Sequence, residues 1–180
     1  MKQKRINRAV FLDRDGTIIE DRGHLSDKDD VAFFPFAIRA LKILQEKFLL
    51  FIVTNQSGVS LGKITKESVD TVNTALLTQL QHEGVTIEQL YTCSHARRDN
   101  CECMKPKPYF INKAMSEFDL DIAHSYTVGD HPHDVEFGAA CGATGIYVLT
   151  GHGQKHLEQL PSGAQCFENL LHAAQWIINK

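Results

Sequence analysis

Short apolar runs that stop abruptly at carboxylates or glycine, separated by segments with helical spacing of apolar residues, constrain this chain more than any other feature. Residues 8–12 read as a buried strand that ends in Asp13-Arg14-Asp15-Gly16-Thr17. After a loop over residues 18–30, Ile38, Leu41, Ile43, Leu44 and Phe48 recur at approximately helical spacing, and residues 48–53 form a second strand. Val69, Val72, Leu76, Leu77 and Leu80 give a helical stripe that Thr65 or Thr54 would cap and that ends near Gly84. Strands over residues 89–93, 126–129 and 146–149 then alternate with helices over residues 109–118, 133–141 and 169–178, the last carrying Trp176 as a packing residue. The repeated βαβ pattern predicts an α/β fold, a Rossmann-like three-layer sandwich whose mainly parallel sheet has helices on both faces. Function in such sheets sits at the strand ends. With 180 residues and no internal repeat, low-complexity tract or linker, one domain spanning residues 1–180 is expected.

The charge balance excludes some partners. Nineteen Lys and Arg against twenty-two Asp and Glu give a net charge of −3, no field for gathering nucleic acid, and no nucleic-acid partner is expected. The longest strongly apolar run, residues 48–53, is far shorter than the ~20 residues that cross a bilayer, so no membrane association is expected. The basic start Met1-Lys2-Gln3-Lys4-Arg5 is followed by only a brief apolar stretch, without a signal-peptide core, which predicts a cytoplasmic protein.

Asp13 and Asp15 flank one residue, so on an extended strand end both carboxylates point to the same side, a geometry suited to a carboxylate nucleophile beside a proton donor. Gly16 permits an unusual turn and Thr17 supplies a hydroxyl to fix the loop. The second strand ends in Thr54-Asn55-Gln56-Ser57-Gly58, whose hydroxyl and amide donors are placed to hold phosphoryl oxygens. Lys105 adds a compact positive charge, and Val128-Gly129-Asp130 with Asp134 brings two further acids to another strand end. Each feature alone is compatible with a turn cap or a solvated side chain; the ordered set favours catalysis.

The five cysteines are an odd number with a telling distribution. Cys93, His95, Cys101 and Cys103 offer three thiolates and one imidazole around a short polar segment, a set that satisfies tetrahedral Zn²⁺ and leaves no open position for water. A structural zinc bracing the loop that carries Lys105 is therefore expected, against the alternative of reduced thiols beside a surface histidine. Cys141 and Cys166 stand apart as core or near-surface residues, and His24 and His133 are secondary site candidates.

Together the Asp-x-Asp-Gly-Thr, strand-end Thr, Lys and Gly-Asp-x-x-x-Asp motifs, in that order over residues 10–149, resemble the haloacid dehalogenase (HAD) superfamily of phosphotransferases. The resemblance implies that Asp13 attacks phosphorus to form an aspartyl-phosphate, that Asp15 protonates the leaving oxygen and later activates water, and that Thr54 and Lys105 bind the phosphoryl group. It implies Mg²⁺ held by the Asp13 carboxylate, the Asp15 carbonyl and Asp130, with Asp134 behind them, offsetting repulsion between carboxylate and phosphate. The zinc loop followed by Lys105-Pro106-Lys107-Pro108 looks like the subgroup of D-glycero-D-manno-heptose 1,7-bisphosphate and histidinol-phosphate phosphatases, which lack a large cap domain. A Mg²⁺-dependent monoester hydrolase acting on the C7 phosphate of the heptose bisphosphate is expected, with Asn55, Gln56 and Ser57 also contacting this small metabolite. Histidinol-phosphate hydrolysis and a non-catalytic zinc-stabilised binding module are the alternatives, and a polynucleotide phosphatase fits less well because no broad basic surface is evident. A monomer is expected. Three positions depart from the subgroup: Leu61 and Met104 stand where arginines are common, and His131 stands where the heptose enzymes carry a basic residue. Arg14, Arg22, Arg97, Arg98 and Lys107 are the candidates to compensate.

Overall fold

The computed structural model describes residues 7–180; the basic run Met1-Lys2-Gln3-Lys4-Arg5 lies outside the described residues. The strands β1 (Ala9–Leu12), β2 (Leu49–Asn55), β3 (Gln89–Cys93), β4 (Tyr126–Gly129), β5 (Thr144–Val148) and β6 (Gln165–Phe167) pair in parallel in the order β3-β2-β1-β4-β5-β6. The helices are α1 (Ala37–Gln45), α2 (Lys66–His82), α3 (Tyr109–Phe118), α4 (Pro132–Ala139), the single turn α5 (Gly153–His156) and α6 (Leu170–Ile178).

Strand periodicity divides the apolar residues between two cores. Val10, Leu12, Leu50, Ile52, Val128 and Ile146 pack on one face with Leu41 and Leu44 of α1, Leu76 of α2 and Ile177 of α6. Ala9, Phe11, Phe51 and Val53 face the opposite layer, where Phe110 and Ile111 of α3 and Phe137 of α4 lie. Phe11 stacks on Phe51 with ring centroids 5.0 Å apart. Large side chains buried this fully contribute about 1.5–3 kcal/mol each, so the two faces anchor the sheet between helices as the alternation predicts.

The strand order determines where a site can form. From β1 the chain winds outward through β2 to β3, then returns to place β4 against the other edge of β1. Connections leave β1 in opposite directions at this reversal, so a crevice opens beyond the carboxyl ends of β1 and β4. Asp13 and Asp15 follow β1, and Asp130 follows β4.

Several boundaries differ from expectation for identifiable reasons. Helix α1 stops at Gln45 because the N–H groups of Lys47 and Phe48 both donate to the Leu44 carbonyl, and Phe48 turns its ring edge-on to Tyr126. Strand β2 runs on to Asn55 because Thr54 and Asn55 pair with Thr92 and Cys93 of β3. Thr65, not Thr54, caps α2 by accepting the Ser68 N–H at 3.1 Å. The segment 18–30 contains fully buried Ile18 and Ile19 and a 3₁₀ turn at Lys28–Asp30, so it is partly core. Strand β6 is too short for a periodicity to reveal; pairing with β5 defines it, and Cys166 on it is exposed. Trp176 packs on Tyr126 and Phe167. No helix among the described residues is long and apolar enough to cross a membrane.

Candidate active site

The floor of the crevice is a cluster of acids around one ammonium. The Asp13 N–H donates to the Val128 carbonyl at 2.9 Å, which ties the residue to the end of β4. Lys105 is buried, and its Nζ donates to Asp13 Oδ1 at 2.8 Å, Asp134 Oδ1 at 2.6 Å and the Val53 carbonyl at 2.8 Å. All three N–H donors of the ammonium are thereby used. Burial disfavours the charged lysine, but the paired Asp13 and Asp134 outweigh it and raise its pKa. Burial pushes Asp13 up to about 7, against the pull of Lys105 and with added repulsion from Asp134. Asp130 is pushed up to about 8 by burial, then by Asp13 and Asp134.

Two glycines allow the acids to come this close. Gly16 has φ +77°, and a Cβ there would lie 2.1 Å from Asp130 Oδ2. A Cβ on Gly129 would lie 2.1 Å from Asp134 Cγ. Any side chain at either position would displace a carboxylate from the floor.

Carboxylate oxygens of Asp13, Asp130 and Asp134 lie within 4.8 Å of one another. Acids so crowded ionise together only when further positive charge is supplied, and hard oxygen donors suit Mg²⁺. Their remaining valences differ. Asp134 uses both oxygens, one on Lys105 and one accepting the His131 N–H at 3.1 Å. Asp13 Oδ2 and Asp130 Oδ1 have no protein donor among the described residues, the other oxygens being taken by Lys105 and by the His152 N–H at 2.7 Å. Asp13 and Asp130 can therefore face a cation while Asp134 holds the lysine.

Asp15 stands on the same side as Asp13, inside a second network. The Arg14 guanidinium forks onto it, with Nε 3.0 Å from Oδ2 and Nη2 3.1 Å from Oδ1, and Gln56 Nε2 donates to Oδ2 at 2.8 Å. Arg14 is fully buried, its Nη1 donating to Asn73 Oδ1 at 2.6 Å. Asn73 in turn donates to Thr92 Oγ1 at 3.1 Å. Arg14 thus has no freedom to reach into the crevice, contrary to its expected role as a compensating donor. The Gln56 amide also bonds Thr54 Oγ1 at 2.8 Å, and Asn55 clasps the Lys105 backbone, accepting its N–H at 3.1 Å and donating to its carbonyl at 3.4 Å. Both amides line the crevice, yet their hydrogen bonds are to Asp15, Thr54 and Lys105. The Thr17 hydroxyl, expected to fix the loop, is buried without a hydrogen-bond partner. Backbone bonds do that work instead, from Gly16 N to Ile19 O at 2.8 Å and from Ile18 N to Arg14 O at 3.0 Å.

Cys93, His95, Cys101 and Cys103 converge as expected. The Sγ atoms are 3.2 Å (Cys93–Cys103), 3.6 Å (Cys93–Cys101) and 3.7 Å (Cys101–Cys103) apart, and His95 Nδ1 is 3.7 Å from Cys93 and 3.3 Å from Cys103. A tetrahedron of sulfurs about 2.3 Å from a zinc ion has edges of roughly 3.8 Å, so the donor set fits that ion. Such separations are far beyond a disulfide bond, and the five cysteines are free. Burial raises the Cys93 thiol, whereas Cys101, despite burial, is lowered by hydrogen bonds from Cys93 and the Met104 N–H.

The crevice has a volume of about 690 Å³, in the range of small-molecule sites. Asp13, Asp15, Thr54, Lys105, Asp130 and Asp134 form its floor, and Ser57, Leu61 and Met104 also line it. Its rim carries His24, Arg97, Arg98, His131, His133 and His152. Burial and the neighbouring His133 lower His131 to about 4, so it is neutral near pH 7. Of the other candidate basic residues, Arg22 pairs with Glu20 and Asp30 on the exposed surface, and Lys107 bonds the Cys101 carbonyl beside a side pocket of about 260 Å³. Sequence reasoning missed Asn73 and the His152 N–H. Asn73 was detectable, being a polar residue within the apolar spacing of Val69, Val72 and Leu76.

Sheet order, acids at the reversal point and a buried lysine joining them define a HAD-like hydrolase. A family profile described as HAD-hydrolase-like matches residues 102–173. The chain is 35% identical over 173 residues, 95% of its own length and 97% of the relative's, to the D-glycero-beta-D-manno-heptose-1,7-bisphosphate 7-phosphatase of Helicobacter pylori. It is 36% identical over 152 residues to the Yersinia pestis protein of that name, covering 79% of this chain and 81% of that one. Among solved structures, D,D-heptose 1,7-bisphosphate phosphatase from B. bronchiseptica, complexed with magnesium and phosphate, superposes with a TM-score of 0.88 at 27% identity, covering 96% of this chain and 98% of that one. The Burkholderia thailandensis enzyme gives 0.74 at 26% identity over 96% and 99%. The chain belongs to this heptose bisphosphate phosphatase family of HAD-like hydrolases.

Proposed function

We propose that this protein hydrolyses the 7-phosphate of D-glycero-D-manno-heptose 1,7-bisphosphate through a covalent aspartyl-phosphate. The observation that carries the reading is a 35% identity, over 95% of the chain, to a relative named for that activity, joined to a floor in which Asp13, Asp15, Thr54 and Lys105 meet. Asp13 is the nucleophile: its carboxylate oxygen bonds to phosphorus as the bond from phosphorus to the C7 oxygen breaks. Asp15 gives its proton to that leaving oxygen. It then takes a proton from water, which attacks the phosphorus, releases inorganic phosphate and restores Asp13. Lys105, its donors held by Asp13, Asp134 and Val53, keeps Asp13 oriented and sets a positive charge beside the phosphoryl group, whose oxygens the Thr54 hydroxyl and the Ser57 loop contact. Asn55 acts by fixing Lys105, and Gln56 by fixing Asp15 and Thr54.

Magnesium, held by Asp13, the Asp15 carbonyl and Asp130, would supply the charge that lets a carboxylate approach a phosphate dianion. The cysteine and histidine cluster would hold a structural zinc, closed to substrate. Five free cysteines fit a reducing, cytoplasmic setting, and each chain carries a complete crevice, consistent with action as a monomer.

The test is phosphate release with and without magnesium, from both anomers of the heptose bisphosphate, histidinol phosphate and other sugar phosphates. The heptose bisphosphate is expected to give the highest kcat/KM, and Asp13→Asn to abolish turnover. Faster hydrolysis of histidinol phosphate refutes the substrate; turnover retained by the purified Asp13→Asn protein refutes the nucleophile.

A further inference from the structure

The floor holds one lysine among Asp13, Asp15, Asp130 and Asp134, so it can take one phosphate and repels a second. A bisphosphate therefore needs positive charge elsewhere in the crevice. Two guanidinium groups line the same cavity, on a 3₁₀ turn, Arg97–Asp99, set between His95 and Cys101 of the cysteine and histidine cluster.

Their surroundings differ. Arg98 Nη2 is spent on the Ser60 carbonyl at 2.9 Å, and its Nε lies 3.9 Å from Asp99. Among the described residues no carboxylate lies within 4.0 Å of Arg97. Among the described residues, Arg97 makes one side-chain hydrogen bond, from Nη2 to His133 Nε2 at 2.8 Å. For Nε2 to accept, the imidazole proton sits on Nδ1, which is 3.1 Å from Glu136 Oε2 and donates to it. The imidazole thus acts as a neutral prop. It fixes the direction of the guanidinium without cancelling its charge and leaves the rest of the fork open. The turn itself is held from below, by the Asp99 carboxylate accepting the Ala96 N–H at 2.7 Å and bonding the Ser60 hydroxyl.

We propose that Arg97, oriented by His133 and flanked by Arg98, binds the second phosphate, the one not hydrolysed, of a sugar bisphosphate. Charge-assisted, forked contacts of this kind discriminate a phosphate from the hydroxyl that replaces it. The assignment rests on the substrate reading above and adds to it which residues make the enzyme selective for two phosphates over one.

The experiment compares kcat and KM on heptose 1,7-bisphosphate and on heptose 7-phosphate, for the wild type, Arg97→Met and Arg97→Lys, with circular dichroism and metal content as controls on folding. The wild type is expected to favour the bisphosphate. Arg97→Met should lose at least tenfold in kcat/KM on the bisphosphate, mostly in KM, and less than threefold on the monophosphate. Arg97→Lys, keeping the charge without the fork, should fall between. Equal losses on the two substrates, or a bisphosphate preference that survives Arg97→Met, overturn the assignment while leaving the substrate reading intact. A wild type that shows no preference for the bisphosphate overturns both.

Discussion

Replacing Lys105 by Met removes the ammonium while keeping a side chain of similar length and volume. The buried ammonium contacts Asp13 and Asp134 at 2.8 and 2.6 Å, so the loss leaves crowded carboxylates without their counter-charge. Breaking a buried pair by removing one partner typically costs about 3–5 kcal/mol. The pH dependence is the sharper signature. Asp13 is raised to about 7 in the folded protein, above its unfolded value of 3.8, and Lys105 acts to lower it. A raised carboxyl contributes stability that is present below the unfolded value and is lost as pH rises through the folded one. In Lys105→Met the folded value rises further, so the variant keeps losing stability through Asp13 above pH 7, where the Asp13 share in the wild type levels off. At about 1.4 kcal/mol per pH unit, Asp13 alone should make the difference between the proteins up to about 2 kcal/mol larger at pH 8.5 than at pH 7. Urea unfolding followed by the fluorescence of Trp176, the chain's one tryptophan, measures it, in buffer without magnesium and with zinc retained. A stability difference that does not change with pH, or a variant as stable as the wild type at pH 8.5, refutes the argument.

Two further outcomes follow from the same chemistry. Asp13 and Asp130, raised to about 7 and 8, hold protons at pH 5.5 that a cation must displace, so magnesium should raise Tm clearly at pH 8.5 and little at pH 5.5; equal shifts at the two pH values would exclude these carboxylates as ligands. Protein expressed with zinc should carry about one equivalent per chain, and its chelation should lower Tm and raise KM, since the cluster brackets the turn bearing Arg97; zinc far below one equivalent after supplementation would refute the site.

Much of the fold was legible because its signals are local. Residues 89–93, 109–118 and 126–129 were bounded correctly from the alternation of apolar segments and from the polar residues and cysteine-rich loop that end them. What escaped depended on pairing across the chain. The extension of β2 through Thr54 and Asn55 exists because β3 lies alongside, and β6 exists because β5 does. The site divides in the same way. The acids, Lys105 and the cysteine cluster carry their chemistry in residue type and order. The roles of Arg14, Asn55 and Gln56 depend on which partner each meets, and those partners are 59, 50 and 41 residues away in sequence. Arg14 reads as a surface donor next to Asp15. Only Asn73, projecting from the inner face of α2, makes it a buried strut.

The floor and rim are supported differently, and this bears on how such a crevice changes substrate. Asp13, Asp15 and Asp130 follow strand ends, with the Asp13 N–H bonded to the Val128 carbonyl of β4, and Lys105 is tied to the sheet through its ammonium on the Val53 carbonyl of β2. A displacement there disturbs the sheet and the reacting groups together. The two rim arginines, Arg97 and Arg98, ride on the loop between Cys93 and Lys105, whose shape depends on a small cluster and on a few contacts to the Ser60 turn. A substitution such as Met104 or Leu61 alters which donors face the substrate without touching a strand. The loop also reaches the floor at one point, where Asn55 holds the Lys105 backbone from both sides. A cation in the cysteine cluster would therefore act on both levels, holding Arg97 in place above and setting the height of Lys105 below. Losing it should weaken substrate binding and phosphoryl transfer together, whereas changing Arg97 alone should weaken binding.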